Sequence, residues 1–429
     1  MTDVATTTDS LVAELTSWLG SNWDPDLTVG AWWERLGLSG WGMPTLPDNA
    51  YGRGLARNEA AVLSRTIAEF GALGSPGGLG ALLAAPTIGV HGTQPQIDRY
   101  VRDIVTGQKG WCQLFSEPGA GSDLAGLQTK ALRDGDEWIV NGQKVWTSGG
   151  QVADLGMLIA RTDPDAPKHR GISYFAFDML QPGVDVRPLR EMTGHALFNE
   201  VFISDARVPD SARIGDLNDG WKVTNTTLAF ERAGLGSGGG GAGATMVLPG
   251  TLPGHLDKRA GDFAPTPGVK DRPVTRRGPL GGTVAMLTFI AKANDTVDDP
   301  SIRQGLMHLH TLEELGRFNN LRLKAAKEAG RDIPGLPNLS KLAMSEIMRL
   351  TRDLGLRIAG PYGTVHGYTD EANKALDEAL GAAHQGGLTE LSLFAQAPSI
   401  YGGTDQVQRN IIGERILGLP REPRPDSER

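Results

Sequence analysis

The fold of this chain is decided by the stretch Gln113-Leu-Phe-Ser116-Glu-Pro-Gly-Ala-Gly-Ser122-Asp123, which is followed by Asp134-Gly-Asp-Glu-Trp-Ile-Val-Asn141-Gly142-Gln-Lys-Val-Trp146-Thr-Ser148. In the first segment, Gly119 and Gly121 have the conformational freedom to point successive backbone N–H groups into one concavity. The hydroxyls of Ser116 and Ser122 add polar groups beside them. The segment therefore predicts an anion-binding nest suited to a pyrophosphate.

The second segment alternates apolar and polar residues around Asn141-Gly142, a dipeptide that favours a β-hairpin turn. We expect Trp146 to lie on a strand, where its flat ring could stack on a flavin. Each segment also has an ordinary explanation, a simple turn for the glycines and a core position for the tryptophan. Either segment alone favours the ordinary explanation.

Taken together, in this order and spacing, the segments resemble the acyl-CoA dehydrogenase family. Its fingerprint is Ser or Thr before Glu-Pro, then Gly-x-Gly-Ser-Asp, then Asn-Gly-x-Lys-x-Trp. The resemblance continues through Phe198-Asn-Glu200-Val-Phe, Arg207-Val-Pro209 and Tyr401-Gly-Gly-Thr404-Asp-Gln406. It implies an α+β fold with an N-terminal α-helical domain, a middle β-barrel or β-sandwich domain and a C-terminal helical bundle.

The order of periodicities agrees with that fold, because helical patterns precede and follow a central region of period two. We predict domains at residues 1–109, 110–215 and 216–429. The last domain carries an insertion at 233–282. Its high content of glycine and proline favours a flexible loop over a lid.

Composition narrows the function classes. A net charge of −8 argues against a nucleic-acid surface. Cys112 is the single cysteine, which excludes an intrachain disulfide, and it is most simply a buried small hydrophobe. The histidines are scattered without metal-ligand spacing. The chain shows neither a signal-peptide pattern nor an apolar run of bilayer length, so we expect a cytoplasmic protein that binds no membrane and no metal.

The resemblance implies that FAD accepts a hydride from the β-carbon of an acyl-CoA while a carboxylate removes the α-proton. Many family members carry that base in Tyr-Glu-Gly-Thr, but here the motif is Tyr401-Gly402-Gly403-Thr404. A second family position lies before an arginine after the β domain, which corresponds here to Glu231 before Arg232. We therefore predict Glu231 as the base, the N–H of Gly402 as a donor to the thioester carbonyl, and Arg232 as a substrate-binding residue. A surface Glu-Arg pair is the alternative.

The resemblance also implies the flavin contacts. They come from four places in the sequence. These are Leu114, Phe115 and Ser116; Ser122, which would also approach the coenzyme A chain; Trp146, Thr147 and Ser148; and Thr404 and Gln406. The family's Arg-x-x-Phe-Gly and Gln-x-x-Gly-Gly motifs, which bind the adenine half of FAD from a neighbouring subunit, are not intact. A hetero-oligomer is thus an alternative to a homodimer or homotetramer.

The resemblance suggests a role in fatty acid metabolism and lipid degradation, with an electron-transfer flavoprotein as the acceptor. The base position, and a segment of small residues at 77–86, favour a medium to long or bulky acyl chain, although tight helix packing explains the small residues equally well. A flavin-poor structural subunit and an acyl-CoA oxidase are the alternative functions.

Overall fold

The computed structural model describes residues 2–235, 255–265 and 282–421. Helices come first, as their periodicity predicts: α1 (Thr2–Asn22), α2 (Val29–Leu38), α3 (Arg57–Phe70), α4 (Ala85–His91), α5 (Gln94–Gln96) and α6 (Arg102–Val105). The N-terminus of α2 is capped by Thr28, whose hydroxyl accepts the N–H of Ala31. Trp32 and Trp33 of α2 are buried and donate their indole N–H groups to the carbonyls of Leu73 and Gly74.

The central region forms a mixed sheet. Its strands are β1 (Trp111–Leu114), β2 (Lys130–Asp134), β3 (Glu137–Lys144), β4 (Leu155–Arg161), β5 (Ile172–Asp178), β6 (Val184–Leu189), β7 (Phe198–Pro209) and β8 (Arg213–Ile214). Within the described residues the sheet has eight strands in the order β6-β7-β3-β2-β4-β5-β8, and β1 pairs in parallel with β4. Every residue of β5 before Asp178 is buried, which explains its continuous apolar run.

The predicted hairpin at Asn141-Gly142 is wrong. Both residues lie inside β3, and the turn between β2 and β3 uses Gly135, whose φ is +66°. The pairing of β3 with β7 shifts register at this point, because β7 accommodates an extra residue, and Asp205 there has a φ of +50°. Asn141 exchanges two hydrogen bonds with Asp205, of 2.9 and 3.0 Å, so it stabilises a bulge rather than a turn.

Two further local predictions need correction. Trp146 lies after the end of β3 rather than on a strand, and its φ is +61°. Gly119 and Gly121 are not among the residues with positive φ, so the alternating right- and left-handed backbone of a nest is absent at 117–122. The segment is instead a tight turn in which Glu117 and Ala120 exchange backbone hydrogen bonds of 3.0 and 3.1 Å.

Helices return after the sheet, as predicted. They are α7 (Gly220–Leu235), α8 (Thr283–Ala293), α9 (Pro300–Glu328), α10 (Leu336–Ala359), α11 (Asp370–Leu380), α12 (Gly386–Phe394) and α13 (Asp405–Asn410), which continues as a π-helical turn at Ile411–Ile416. Most of the predicted insertion at 233–282 lies outside the described residues. Its described part holds the end of α7 and a short 3-10 helix, Ala260–Phe263.

The described chain divides into two compact units. One comprises the described residues within 1–189 and 196–272, and the other those within 190–195 and 273–429. The first contains two apolar cores, one around the sheet and one around α2, and the second has its own core among α8, α9, α10 and α12. The helix–sheet–helix order is as predicted, whereas the three domain boundaries stay a prediction.

The small-residue segment at 77–86 contributes to the first unit's core. A Cβ on Gly80 would stand 3.1 Å from a ring carbon of Trp111, and Ala84 and Ala85 are fully buried. Close packing therefore accounts for these small residues. No described helix is long and apolar enough to cross a membrane.

Candidate active site

The predicted flavin segment starts at the end of β1. The side chains of Leu114 and Phe115 are buried, with 0% and 4% exposure, so a ligand could reach only their backbone. Ser116 is half-buried, and its carbonyl accepts the N–H of Val145, which joins the two halves of the fingerprint. Ser122 is exposed.

A buried ion pair holds this segment. The Glu117 carboxylate accepts the backbone N–H groups of Gln128 and Thr129 at 2.6 and 2.9 Å and the ammonium of Lys144 at 2.9 Å. Lys144 is fully buried and also donates to the carbonyl of Phe115. Burial lowers the pKa of Lys144 to about 8, against the opposing effect of Glu117. Burial also disfavours ionised Glu117, but Lys144 and the hydrogen bonds outweigh it, so the pKa of Glu117 lies below its usual value.

The second predicted flavin segment follows β3. Trp146 is 61% exposed, and its ring meets Phe198 edge-on at a centroid distance of 5.8 Å. Thr147 is fully buried and exchanges two backbone hydrogen bonds with Asn199. Its hydroxyl has no hydrogen-bond partner, and Ser148 beside it is half-buried.

These residues fit a flavin. The ring of Trp146 is exposed, and its backbone has a positive φ, which is an uncommon conformation for a residue other than glycine. Such conformations cost energy and are found most often at ligand sites. The buried hydroxyl of Thr147 lacks a partner that a polar heterocycle could provide. The hydroxyls of Ser116 and Ser148 complete a donor set of the kind that holds a cofactor's polar edge. Within the described residues, no group of histidine, cysteine and acidic side chains could hold a metal.

Glu231 lies near the end of α7. The helix begins where Gly220 touches the backbone of Ser173, and its buried side carries Val223, Thr224 and Thr227. Glu231 is half-buried, and its Oε2 lies 3.4 Å from the side-chain amide nitrogen of Gln113 on β1. The structure thus places the predicted base beside the strand that leads into the flavin segment. Arg232 follows on the same helix, and its side chain lies outside the described part of the chain.

A cavity lies along the same helix. Its volume is about 540 Å³, and it is lined by His169, Asp219, Trp221, Lys222, Asn225, Thr226, Ala229 and Phe230. The ring of His169 packs edge-on against Trp221 at 5.0 Å. Lys222 lies 3.7 Å from Asp219, so this ion pair places one charge of each sign at the cavity. The position where many family members carry Asp is Ala229 here, and it is exposed.

The remaining predicted site residues lie in the second unit. Gly402 and Gly403 have φ values of +64° and +83°, a region in which a side chain would be strained. The carbonyl of Gly402 accepts the side-chain amide of Gln408 at 3.0 Å, and Thr404 caps α13 through its hydroxyl. Gln406 is exposed.

Sequence reasoning missed Asp405, which follows Thr404 directly. Its carboxylate is 4% exposed and accepts from Lys341 at 2.8 Å, Ser345 at 2.8 Å and Arg349 at 3.0 Å. The hydroxyl oxygen of Ser345 also lies 3.1 Å from the carbonyl oxygen of Pro398. The cluster fixes the loop that carries Gly402 and Thr404 onto α10. Its position within the C-terminal motif was the available signal.

Sequence reasoning also missed the burial of Lys144 and the contact made by Gln113. Alternation along β3 places Lys144 on the same face as Trp138 and Val140, so the pattern did contain that signal. The contact of Gln113 joins residues 118 positions apart and left no local signal.

Comparison with known proteins agrees with this geometry. The profile described as acyl-CoA dehydrogenase, middle domain, matches residues 112–206, and the one described as acyl-CoA dehydrogenase, C-terminal domain, matches residues 290–417. The chain is 33% identical over 394 residues to acyl-CoA dehydrogenase IpdE1 of Mycobacterium tuberculosis, covering 91% of this chain and 88% of that protein.

It is 37% identical over 377 residues to acyl-CoA dehydrogenase FadE34 of the same organism, covering 86% of this chain. The match spans 44% of FadE34, less than half of its length. The solved structure named Tcur3481-Tcur3483 steroid ACAD superposes with a TM-score of 0.66 at 25% identity, covering 97% of this chain and 98% of the other. The chain therefore belongs to the acyl-CoA dehydrogenase family of FAD-dependent oxidoreductases.

Proposed function

We propose that the chain catalyses the α,β-dehydrogenation of an acyl-CoA thioester to a trans-2-enoyl-CoA, with Glu231 as the base that takes the α-proton. The observation that carries the proposal is the half-buried Glu231 carboxylate, 3.4 Å from Gln113 on β1. Partial burial keeps a carboxylate more basic than it is in water. FAD, when bound, supplies the acceptor for the β-hydride.

The missing carboxylate at position 402 supports the same assignment. Gly402 adopts a φ of +64°, which glycine reaches without the strain that a side chain would add. With no side chain there, the backbone N–H is proposed to donate to the thioester carbonyl as negative charge develops on it. Glu231 supplies the carboxylate that Gly402 lacks.

The cavity along α7 is proposed to take part of the coenzyme A carrier. Lys222 and His169 provide positive or hydrogen-bonding groups for phosphate oxygens, and the flat ring of Trp221 suits an adenine or pantetheine surface. Ala229 removes one polar contact that many family members have. Ser122 and Arg232 remain proposed substrate contacts.

Replacing Glu231 with Gln tests the base. We expect the variant to keep FAD and lose roughly 10²–10⁴-fold in turnover, because general base catalysis contributes that much. Glu200→Gln is the matched control, since Glu200 is also half-buried and accepts a glutamine amide, from Gln143 at 2.9 Å. Near-wild-type turnover of Glu231→Gln with bound flavin would rule out Glu231 as the base.

The substrate class is proposed from the relatives. One of them, the Tcur3481-Tcur3483 protein, is named a steroid ACAD, and this name supports a bulky or medium to long acyl chain as the substrate here. Anaerobic bleaching of the flavin by a set of acyl-CoA thioesters would rank the candidates. An electron-transfer flavoprotein is the proposed acceptor, and fast reoxidation by oxygen with peroxide release would instead indicate an oxidase.

A second function is supported by the adenine half of the FAD site. The two family motifs for that half are not intact, so the chain could serve as a flavin-poor subunit that completes a partner's site. The double name of the Tcur3481-Tcur3483 protein is consistent with a two-component assembly in that relative. A purified chain that is colourless alone and raises the activity of a partner would favour this function.

A further inference from the structure

We infer that Gln113 is a positioning residue for the base: its side-chain amide holds the Glu231 carboxylate against β1 and stabilises its ionised form. The inference rests on the proposed role of Glu231. Its direct observation is the 3.4 Å approach of the amide nitrogen of Gln113 to Oε2 of Glu231. An amide N–H is a donor, and a carboxylate can only accept, so the direction of the hydrogen bond is fixed.

The backbone around both residues belongs to packed secondary structure. Gln113 lies on β1 between buried Cys112 and Leu114, and it pairs with Met157 of the buried strand β4. On α7, Thr227 lies four residues before Glu231 and therefore on the same face of the helix.

Thr227 anchors that face. It is fully buried, and its hydroxyl lies 3.0 Å from that of Thr87 and 3.3 Å from that of Tyr174. The amide of Gln113 thus connects β1 to α7 at Glu231, the proposed base.

The same strand continues into the flavin segment. Leu114, Phe115 and Ser116 follow Gln113 directly, and Phe115 packs edge-on against Tyr174 at 6.0 Å. Loss of the Gln113 amide should therefore change the ionisation of the Glu231 carboxylate. A general disturbance of β1 would instead weaken flavin binding. These two effects can be measured separately.

Other ionisable side chains lie on the elements that contact α7. They are Cys112 on β1, beside Gln113, His91 on α4, Tyr174 and Asp178 on β5, and Lys222 on α7 itself. Burial raises the pKa of Cys112 and of Tyr174, so both stay neutral near pH 7. Burial and the charge of Lys222 lower the pKa of His91, so its imidazole is neutral near pH 7.

The test replaces Gln113 with Met, which has similar length and no N–H donor. Without the hydrogen bond the ionised carboxylate is less stable, so the acid limb of the kcat–pH profile should move up by about 0.5–1 pH unit. Gln113→Glu places a second carboxylate there and should move the limb further in the same direction. Flavin content and KM should change little.

Gln108→Met is the matched control. Gln108 is also half-buried, makes one 3.4 Å side-chain hydrogen bond, to the carbonyl of Thr106, and lies just before β1. The kcat–pH profile of Gln108→Met should match that of the wild type. An infrared titration of the carboxyl stretch, with Glu231→Gln subtracted, gives the same shift without turnover.

The outcomes are distinguishable. If Glu231→Gln abolishes turnover and the limb stays in place in both Gln113 variants, the inference is overturned while the proposed function stands. If Glu231→Gln retains turnover, both are overturned. Loss of flavin from both Gln113 variants, without a shift in the infrared titration, would show that Gln113 only supports β1.

Discussion

Asp405 shows how one buried charge can organise a loop. Three donors from α10 converge on its carboxylate, and two of them, Lys341 and Arg349, are cationic. Burial alone would raise the pKa of Asp405, but these donors outweigh it and lower the pKa to about 2. The carboxylate is therefore ionised at all physiological pH values, and it ties the Tyr401–Thr404 loop to α10.

Replacing Asp405 with Asn should lower the free energy of unfolding by about 3–5 kcal/mol, because it leaves Lys341 and Arg349 without their buried partner. Chemical denaturation measures this loss. Asp353→Asn is the control, on the helix α10 that carries the partners of Asp405, since Asp353 is 60% exposed and pairs with its neighbour Arg352. Surface pairs of that kind contribute about 0–1 kcal/mol. Equal losses in the two variants would contradict the role of Asp405.

The same group predicts a pH dependence. Its pKa of about 2 in the folded chain lies below the roughly 3.9 of an unfolded Asp. Its contribution is therefore fully present above about pH 4 and is lost as the pH falls toward 2. The wild type should lose about 2–3 kcal/mol over that window relative to Asp405→Asn, measured by denaturation at each pH.

At the scale of elements, the ion pair of Glu117 and Lys144 joins the flavin segment to β3. It fixes the turn at 117–120 through Glu117 and the end of β1 through the carbonyl of Phe115. Both side chains are buried, so removing one partner leaves an uncompensated charge. The pair is the structural reason that Lys144 and Glu117 belong to one fingerprint although 27 residues separate them.

Lys144→Met should cost about 3–5 kcal/mol in unfolding free energy and reduce flavin retention. The double variant Glu117→Gln with Lys144→Met removes both charges and should be about 1–3 kcal/mol more stable than the sum of the single effects predicts. A double-mutant cycle by chemical denaturation checks the coupling. Strict additivity would show that the two side chains act independently.

Element positions could largely be predicted, but not every turn. Helical periodicity predicted helices before and after the central sheet, and the structure has α1 to α6 and α7 to α13 in those places. The Asn141-Gly142 signal failed because the long pairing of β3 with β7 outweighs a local turn preference. Within β3, Asn141 stabilises the bulge by forming two hydrogen bonds with the bulge residue Asp205.

At the scale of the whole molecule, the predicted site residues are divided between two units. Residues 114–148, Glu231 and Arg232 belong to the first unit, and Gly402, Thr404 and Gln406 to the second. Each unit has its own apolar core, so each holds its part of the site by its own packing.

The assembly state separates the two proposed functions. If the chain is the dehydrogenase, the purified protein alone should be yellow, with close to one FAD per chain in a homo-oligomer, and should bleach with a suitable acyl-CoA. Light scattering with flavin absorbance measures both quantities. A colourless homo-oligomer that takes up FAD only after a related chain is added would favour the structural subunit.

Motifs and periodicity lie along the chain, so they were enough to predict the family, the order of helices and strands, and the absence of a carboxylate at position 402. Which side chains meet became visible in the folded chain. It brought Gln113 to Glu231, buried Lys144 against Glu117 and surrounded Asp405 with cations. Burial and pairing at long sequence separation arise from packing, and that is why local patterns left them open.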